Sequence, residues 1–191
     1  MKVVAFNGSA RKKGNTRLAL ETALAELQAE GIDTELVSLA GKNLHGCRAC
    51  FKCFEKQNKH CALKDDDINE LIDKMLEADG IIIGSPVYFA SMTTETKALI
   101  DRAGIVAKGN SEMFSRKVGA SIAVARRAGA VATFDEINRF FFISGMIVPG
   151  STYWNVGMGR APGDVQNDEE GMATFRNLGK NMAWLLKKLH A

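Results

Sequence analysis

The sequence predicts an α/β domain built on a buried parallel sheet. Two observations lead there: apolar runs of strand length alternate with stretches of helical period, and the first apolar run passes through a polar, glycine-containing loop directly into a helix. No repeat or low-complexity segment interrupts the alternation. At 191 residues the chain suffices for one well-buried domain and is short for two, so a single domain over 1–191 is expected.

Strands are expected at about Lys2 to Asn7, Thr34 to Leu39, Gly80 to Gly84, Lys117 to Ala125 and Met146 to Pro149. Between the first two, Leu20, Ala23, Leu24 and Leu27 recur at i, i+3, i+4 and i+7, the stripe of a helix that buries one face. Ile68, Leu71, Ile72, Met75 and Leu76 form a second such stripe after the capping run Asp65-Asp66-Asp67. A third helix is expected from about Thr93 to Val106. Phe134, Ile137 and Phe141 mark a fourth, and Met172, Phe175, Leu178, Met182, Leu185 and Leu189 a long last one. These methionine and aromatic stripes fit sheet-facing core. Five strands with five helices make a three-layer α/β/α sandwich, whose ligand crevice lies at the carboxyl ends of the strands where strand order reverses. Two long irregular segments, about Ala40 to Lys64 and Gly150 to Asp168, stand outside the pattern; such loops are usually functional.

Composition narrows the class. Hydrophobic residues at 46% and charged residues at 25% exclude a largely disordered chain. A net charge of +3 is too small to argue for nucleic acid. The longest apolar segments, such as Gly80 to Gly84, are strand-length, and Met1 to Ser9 turns polar too soon for a leader, so no membrane partner and a cytoplasmic location are expected.

All four cysteines fall inside one fifteen-residue window, Cys47-x2-Cys50-x2-Cys53-x7-Cys61. Structural cysteines would be scattered over core positions. Thiolates at successive three-residue steps, with a fourth shortly after, can instead ligate one compact iron-sulfur cluster. Disulfides would need an oxidising compartment. Zinc is the stronger rival, although its ligands usually come as two separated Cys-x2-4-Cys pairs, whereas Cys50 here belongs to two overlapping ones. His60 beside Cys61 is a further potential ligand, or simply a solvated loop histidine.

Immediately after the first strand comes Asn7-Gly8-Ser9-Ala10-Arg11-Lys12-Lys13-Gly14-Asn15-Thr16. Hydroxyls at Ser9 and Thr16, the Asn15 amide, the Arg11 guanidinium and free N–H groups at a helix start make an anion cradle suited to a phosphate monoester. Neither the nucleoside-triphosphate loop nor the dinucleotide glycine fingerprint is present here. Gly157 to Gly163 imitates the fingerprint, but its third glycine is one residue late, and it reads as a loop. After the third strand, Ser85-Pro86-Val87-Tyr88-Phe89-Ala90-Ser91-Met92 offers a proline-stiffened turn with two aromatic rings, suited to a flat heteroaromatic ring. Arg126 and Arg127 end the fourth strand with positive charge that can stabilise a reduced flavin.

Gly8-Ser9-x-Arg11-x2-Gly14-Asn15-Thr16, the Ser85-Pro86-Val87-Tyr88 loop, and Met92-Thr93 followed by Lys97 and Asp101-Arg102 resemble the NADPH-dependent FMN reductase branch of the flavodoxin-like fold. The inserted Gly46-Cys47-x2-Cys50-x2-Cys53-x7-Cys61, then Asp65-Asp66, is similar to its iron-sulfur flavoprotein members. Together these motifs span essentially the whole chain. The resemblance implies a five-stranded sheet in the order 2-1-3-4-5, a homodimer or homotetramer, one FMN per subunit, and a 4Fe-4S cluster passing electrons to it. By position, Ser9, Arg11, Asn15 and Thr16 would hold the phosphate; Pro86, Val87, Tyr88 and Phe89 would line the ring.

A flavin accepts two electrons as hydride and releases them singly, while a cubane cluster exchanges one at a time, so a chain holding both converts between the regimes. No acid-base triad is expected. Arg48, Lys52, Lys56, Lys59 and Lys64 crowd the cysteine loop, a collar suited to an acidic carrier such as a ferredoxin. NAD(P)H is the other candidate donor. Two alternatives remain open: an NAD(P)H-dependent FMN or quinone reductase without a cluster, and a zinc-binding regulatory module on the same scaffold.

Overall fold

The computed structural model describes residues 1–191. Five parallel strands run in the order β2-β1-β3-β4-β5: β1 Lys2–Asn7, β2 Asp33–Ser38, β3 Gly80–Pro86, β4 Val118–Ala125 and β5 Val156–Met158. The expected flavodoxin-like order is therefore present, with the reversal between β1 and β3 that opens a crevice at their carboxyl ends.

Strand alternation divides the core in two. Val3, Ala5 and Ile82 face α1 (Asn15–Ala29) and α6 (Glu169–Leu189). Val4, Phe6, Ile81 and Ile83 face α3 (Ile68–Glu77), α4 (Thr94–Gly109) and α5 (Ala130–Ile143). All of these strand side chains are fully buried on one face or the other, as expected of a sheet covered on both sides. The helices largely match the predicted stripes: Leu20, Ala23, Leu24 and Leu27 are buried on α1, and Phe175, Leu178 and Met182 on α6, whereas Leu189 in its last turn is exposed and the buried stripe ends at Leu186. No helix is long and apolar enough to cross a membrane.

Three expectations change. The fifth strand is not Met146 to Pro149. Ile147 makes only an isolated parallel bridge to Val118, and β5 itself, Val156–Met158, pairs with Ala123 to Ala125. Both pieces lie along β4, because Gly119 N donates to Ile147 O at 2.9 Å and Ala123 N to Asn155 O at 3.0 Å. Pro149 has no N–H for a ladder, so the chain leaves the edge there and returns six residues later.

The long segments also contain short structure. The cysteine loop holds α2 (Lys52–Lys56), bracketed by left-handed Phe51 at φ 53° and Gln57 at φ 44°, and the late loop holds β5 and a 3-10 turn at Asp164–Asn167. Finally, Asp67, the N-cap residue of α3, makes no side-chain capping bond, and the acidic run serves mainly to hold the cysteine loop. Asp66 accepts from Ile68 N at 3.3 Å, Asp67 accepts from Asn43 N at 2.7 Å, and Asp66 is also paired with Arg102.

Candidate functional site

A cleft of about 310 Å³ opens at the carboxyl ends of β1, β3 and β4. Ser9, Arg11, Asn15 and Thr16 form one wall, and Pro86, Val87, Tyr88 and Arg126 the other. The first loop is folded by its own side chains. Asn7 Oδ1 accepts from Ser9 N at 3.1 Å, and Ser9 Oγ accepts from Arg11 N at 3.1 Å. In α1 the first donors with an acceptor are Arg17 N and Leu18 N, both to Gly14 O at 3.1 and 3.4 Å. The N–H groups of Asn15 and Thr16 precede them at the helix start, where no intrahelical acceptor exists. Ser9 and Thr16 are buried, and Arg11 is exposed at the rim. Buried hydroxyls, free helix-start amides and a guanidinium are the donor set a phosphate monoester fits.

The second wall is fixed to the first. Thr93, the buried N-cap of α4, accepts from Thr96 N at 3.3 Å, and its hydroxyl donates to Gly8 O at 2.9 Å. A Cβ on Gly8 would collide with Thr96 Oγ1, so the close approach of the two loops requires glycine there. Ser85 Oγ accepts from Thr93 N at 3.0 Å. Tyr88 and Ser91 exchange backbone bonds at 2.8 and 3.1 Å, and Glu136 of α5 accepts from Ser91 Oγ at 2.7 Å.

Two predicted residues stand differently from expectation. Phe89, at φ 50° on the tip of that tight turn, is fully exposed and does not line the cleft. The turn closes between Tyr88 and Ser91, so the residue at its apex faces outward. The Asn15 amide lies at the cleft but is engaged by the late loop: Nδ2 donates to Ala161 O at 2.8 Å, and Oδ1 accepts from Gly163 N at 2.8 Å and Val165 N at 3.3 Å. That loop, Gly157 to Gly163, supplies two lining residues the sequence reading passed over, Gly159 and Arg160. Arg160 O accepts from Arg11 Nη1 at 3.2 Å. The signal available was an arginine inside a glycine run, Gly157 to Gly163. Two larger clefts, of about 710 and 720 Å³, lie along α5, but neither collects the carboxyl ends of the strands.

The cysteine loop is the second feature. All four cysteines are free; Cys47 and Cys50 are exposed, Cys53 and Cys61 buried. No set of three or more His, Cys, Asp or Glu side chains is gathered closely enough to hold a metal ion. The donor set fits an iron-sulfur cluster in kind, being four unpaired thiols on one loop. Cys53 Sγ lies 3.8 Å from Ile105 O of α4, and burial, with Cys61 and Cys47 nearby, pushes its thiol up. Cys61 Sγ accepts from Arg102 Nε at 3.2 Å. His60 Nε2 is paired with Asp73 Oδ1 at 2.8 Å. Arg48, Lys52, Lys56, Lys59 and Lys64 are exposed on the loop.

Comparison with known proteins shows the family and the fold. Residues 1–161 match the model of the NADPH-dependent FMN reductase family. An iron-sulfur flavoprotein of Methanocaldococcus jannaschii is 43% identical over 194 residues, covering 98% of each chain. An iron-sulfur flavoprotein of Methanosarcina thermophila is 32% identical over 189 residues, covering 98% of this chain and 96% of that one. Among solved structures, RosB with a bound formylated riboflavin phosphate superposes with a TM-score of 0.79 at 20% identity, covering 100% of this chain and 80% of that one, a likeness of fold. The chain is thus a flavin-dependent oxidoreductase and belongs to the NADPH-dependent FMN reductase family, in its iron-sulfur flavoprotein branch.

Proposed function

We propose that this chain binds FMN in the cleft between the Ser9–Thr16 and Pro86–Tyr88 loops, binds a 4Fe-4S cluster through Cys47, Cys50, Cys53 and Cys61, and passes electrons between the two. Bound FMN supplies two-electron chemistry with release in single steps. Arg11, Thr16 and the free N–H groups at the start of α1 bind the phosphate, and Ser9 adds a hydroxyl. Val87 and Tyr88 orient the ring. Arg126 supplies positive charge where negative charge grows on reduction.

The observation that carries the reading is that one helix, α4, bonds both loops. Thr93 at the start of α4 bonds Gly8 of the phosphate loop, and Arg102 on the same helix bonds Cys61. The two contacts are about 14 Å apart along the helix at 1.5 Å per residue. The exposed collar of Arg48, Lys52, Lys56, Lys59 and Lys64 supports an acidic one-electron carrier of the ferredoxin type as partner.

The test is anaerobic rapid mixing of FMN-loaded protein with a reduced ferredoxin and, separately, with NADPH or NADH, in the wild type and in Cys50→Ala. Flavin reduction by ferredoxin in the wild type, lost in Cys50→Ala, is expected. Reduction by NAD(P)H at equal rates in both proteins, with no response to ferredoxin, would leave a flavin or quinone reductase in its place.

A further inference from the structure

The N–H donors of Arg102 are all directed at one segment, the cysteine loop and its acidic exit. Nε donates to Cys61 Sγ at 3.2 Å. Nη1 donates to His45 O at 2.9 Å and Asp66 Oδ2 at 2.6 Å, and Nη2 to Asp66 Oδ1 at 3.2 Å and Leu63 O at 3.5 Å. The side chain is completely buried, the largest such in the chain. Asp66 and two carbonyls suffice to compensate its charge, yet the remaining donor is aimed at a sulfur. Cys61 is held from its backbone as well: Asn69 Oδ1 accepts from Cys61 N at 2.8 Å, and Asn69 Nδ2 donates to Cys61 O at 3.0 Å. Cys53 has a weaker hold through Asn110 Nδ2, which donates to Cys53 O at 3.3 Å. Cys47 and Cys50 are exposed, and the only bond at either sulfur is local, from Ala49 N to Cys47 Sγ at 3.4 Å. The loop therefore has two thiols held at backbone and sulfur, of which only Cys61 accepts a bond from a charged side chain, Cys53 Sγ meeting Ile105 O at 3.8 Å, and two that are free to close.

We propose that Arg102 is a positioning residue for the cluster: its Nε–H sets the Cys61 sulfur as the anchoring ligand and, with iron bound, withdraws electron density from that sulfur and raises the cluster's reduction potential. This rests on the reading that the loop holds a cluster. Hydrogen bonds to cluster sulfurs are an established lever on potential, and partners of ligands set ligand orientation. The planar fork is what reaches Asp66 and the sulfur at once; an ammonium in its place lacks that geometry.

The test uses the holoprotein. Arg102→Lys keeps a charge beside Asp66, and the double variant Arg102→Met with Asp66→Asn removes both charges together, leaving no buried carboxylate unpaired. Both variants are expected to retain FMN, to lose iron to a chelator about ten- to a hundredfold faster than wild type, and to show a lowered cluster midpoint potential in an EPR-monitored titration. A role confined to holding the loop would lower the melting temperature and leave the potential of the assembled cluster unchanged. In wild-type protein carrying isotope-labelled arginine, hyperfine coupling between an arginine nitrogen and the reduced cluster is expected, a readout that needs no variant. A wild-type cluster without that coupling, or both variants with wild-type potential and iron release, would overturn this inference alone. Wild-type protein that assembles no cluster would overturn it together with the proposed function.

Discussion

Gly163 donates its backbone N–H to Asn15 Oδ1 at 2.8 Å, joining the late loop to the first turn of α1 across 148 positions of sequence. Asn15 Nδ2 returns a bond to Ala161 O at 2.8 Å. Both ends of the amide are thus engaged by the late loop, whose Gly159 and Arg160 line the cleft alongside Thr16. Asn15→Ala leaves two loop donors, Gly163 N and Val165 N, without their acceptor, while Ala161 O keeps its bond from Asp164 N at 3.1 Å; the cost is about 1–3 kcal/mol for each such donor that stays dry. Urea unfolding should register a loss in that range, and FMN should bind about tenfold more weakly, equivalent to 1.4 kcal/mol. Weakened FMN binding with unchanged stability would instead make Asn15 a direct phosphate ligand.

Removing the phosphate donors should empty the cleft without unfolding the chain. Arg11 is exposed and Thr16 contributes little core volume, so Arg11→Ala combined with Thr16→Ala is expected to leave the melting temperature near wild type. Hydrogen bonds to charged groups contribute about 1.5–3 kcal/mol each, so FMN affinity should fall by two or more decades. Quenching of flavin fluorescence on titration measures this directly. Wild-type affinity in the double variant would place the phosphate elsewhere.

Arg126 lines the opposite wall and is exposed there. Arg126→Ala should leave FMN bound and lower its reduction potential on the order of 30 mV, which for a two-electron couple is about 1.4 kcal/mol. A redox titration showing no displacement would remove Arg126 from the ring.

Much of this arrangement is legible in the sequence because it rests on periodicity and on local chemistry. Apolar runs define β1, β3 and β4 directly, and the polar loop after β1 can be recognised as an anion cradle from residue types alone. Elements that depend on long-range closure are not legible in this way. The β5 position is filled by two pieces separated by Val148 to Asn155, and only the first is apolar enough to be noticed. Phe89 is an aromatic residue in the right loop, but a turn closing between Tyr88 and Ser91 aims it outward. Arg102 occupies an ordinary helical position. Only folding brings it against Cys61 and Asp66, 41 and 36 positions away.

The Asp66–Arg102 pair gives the cysteine loop a dependence on acid. Burial works against ionising Asp66, but Arg102 outweighs it and holds the carboxyl below its ordinary value of 3.8. A carboxyl depressed in the native state contributes its full stability above the unfolded value and loses it as pH falls through the lower native value. Melting temperature should therefore drop more steeply below pH 3.8 in the wild type than in the double variant Arg102→Met with Asp66→Asn. Parallel curves would mean that the pair does not govern acid stability.

Quantifying FMN, iron, acid-labile sulfide and zinc per chain in anaerobically prepared protein, for the wild type and Cys50→Ala, goes to the centre of the proposal. The wild type should hold one FMN with about four irons and four sulfides and no zinc. Cys50→Ala should keep its FMN and lose the iron, since the phosphate loop lies on another crossover. FMN-replete wild-type protein that contains zinc, or no metal at all after attempted cluster reconstitution, would show that electrons do not pass through iron in this chain.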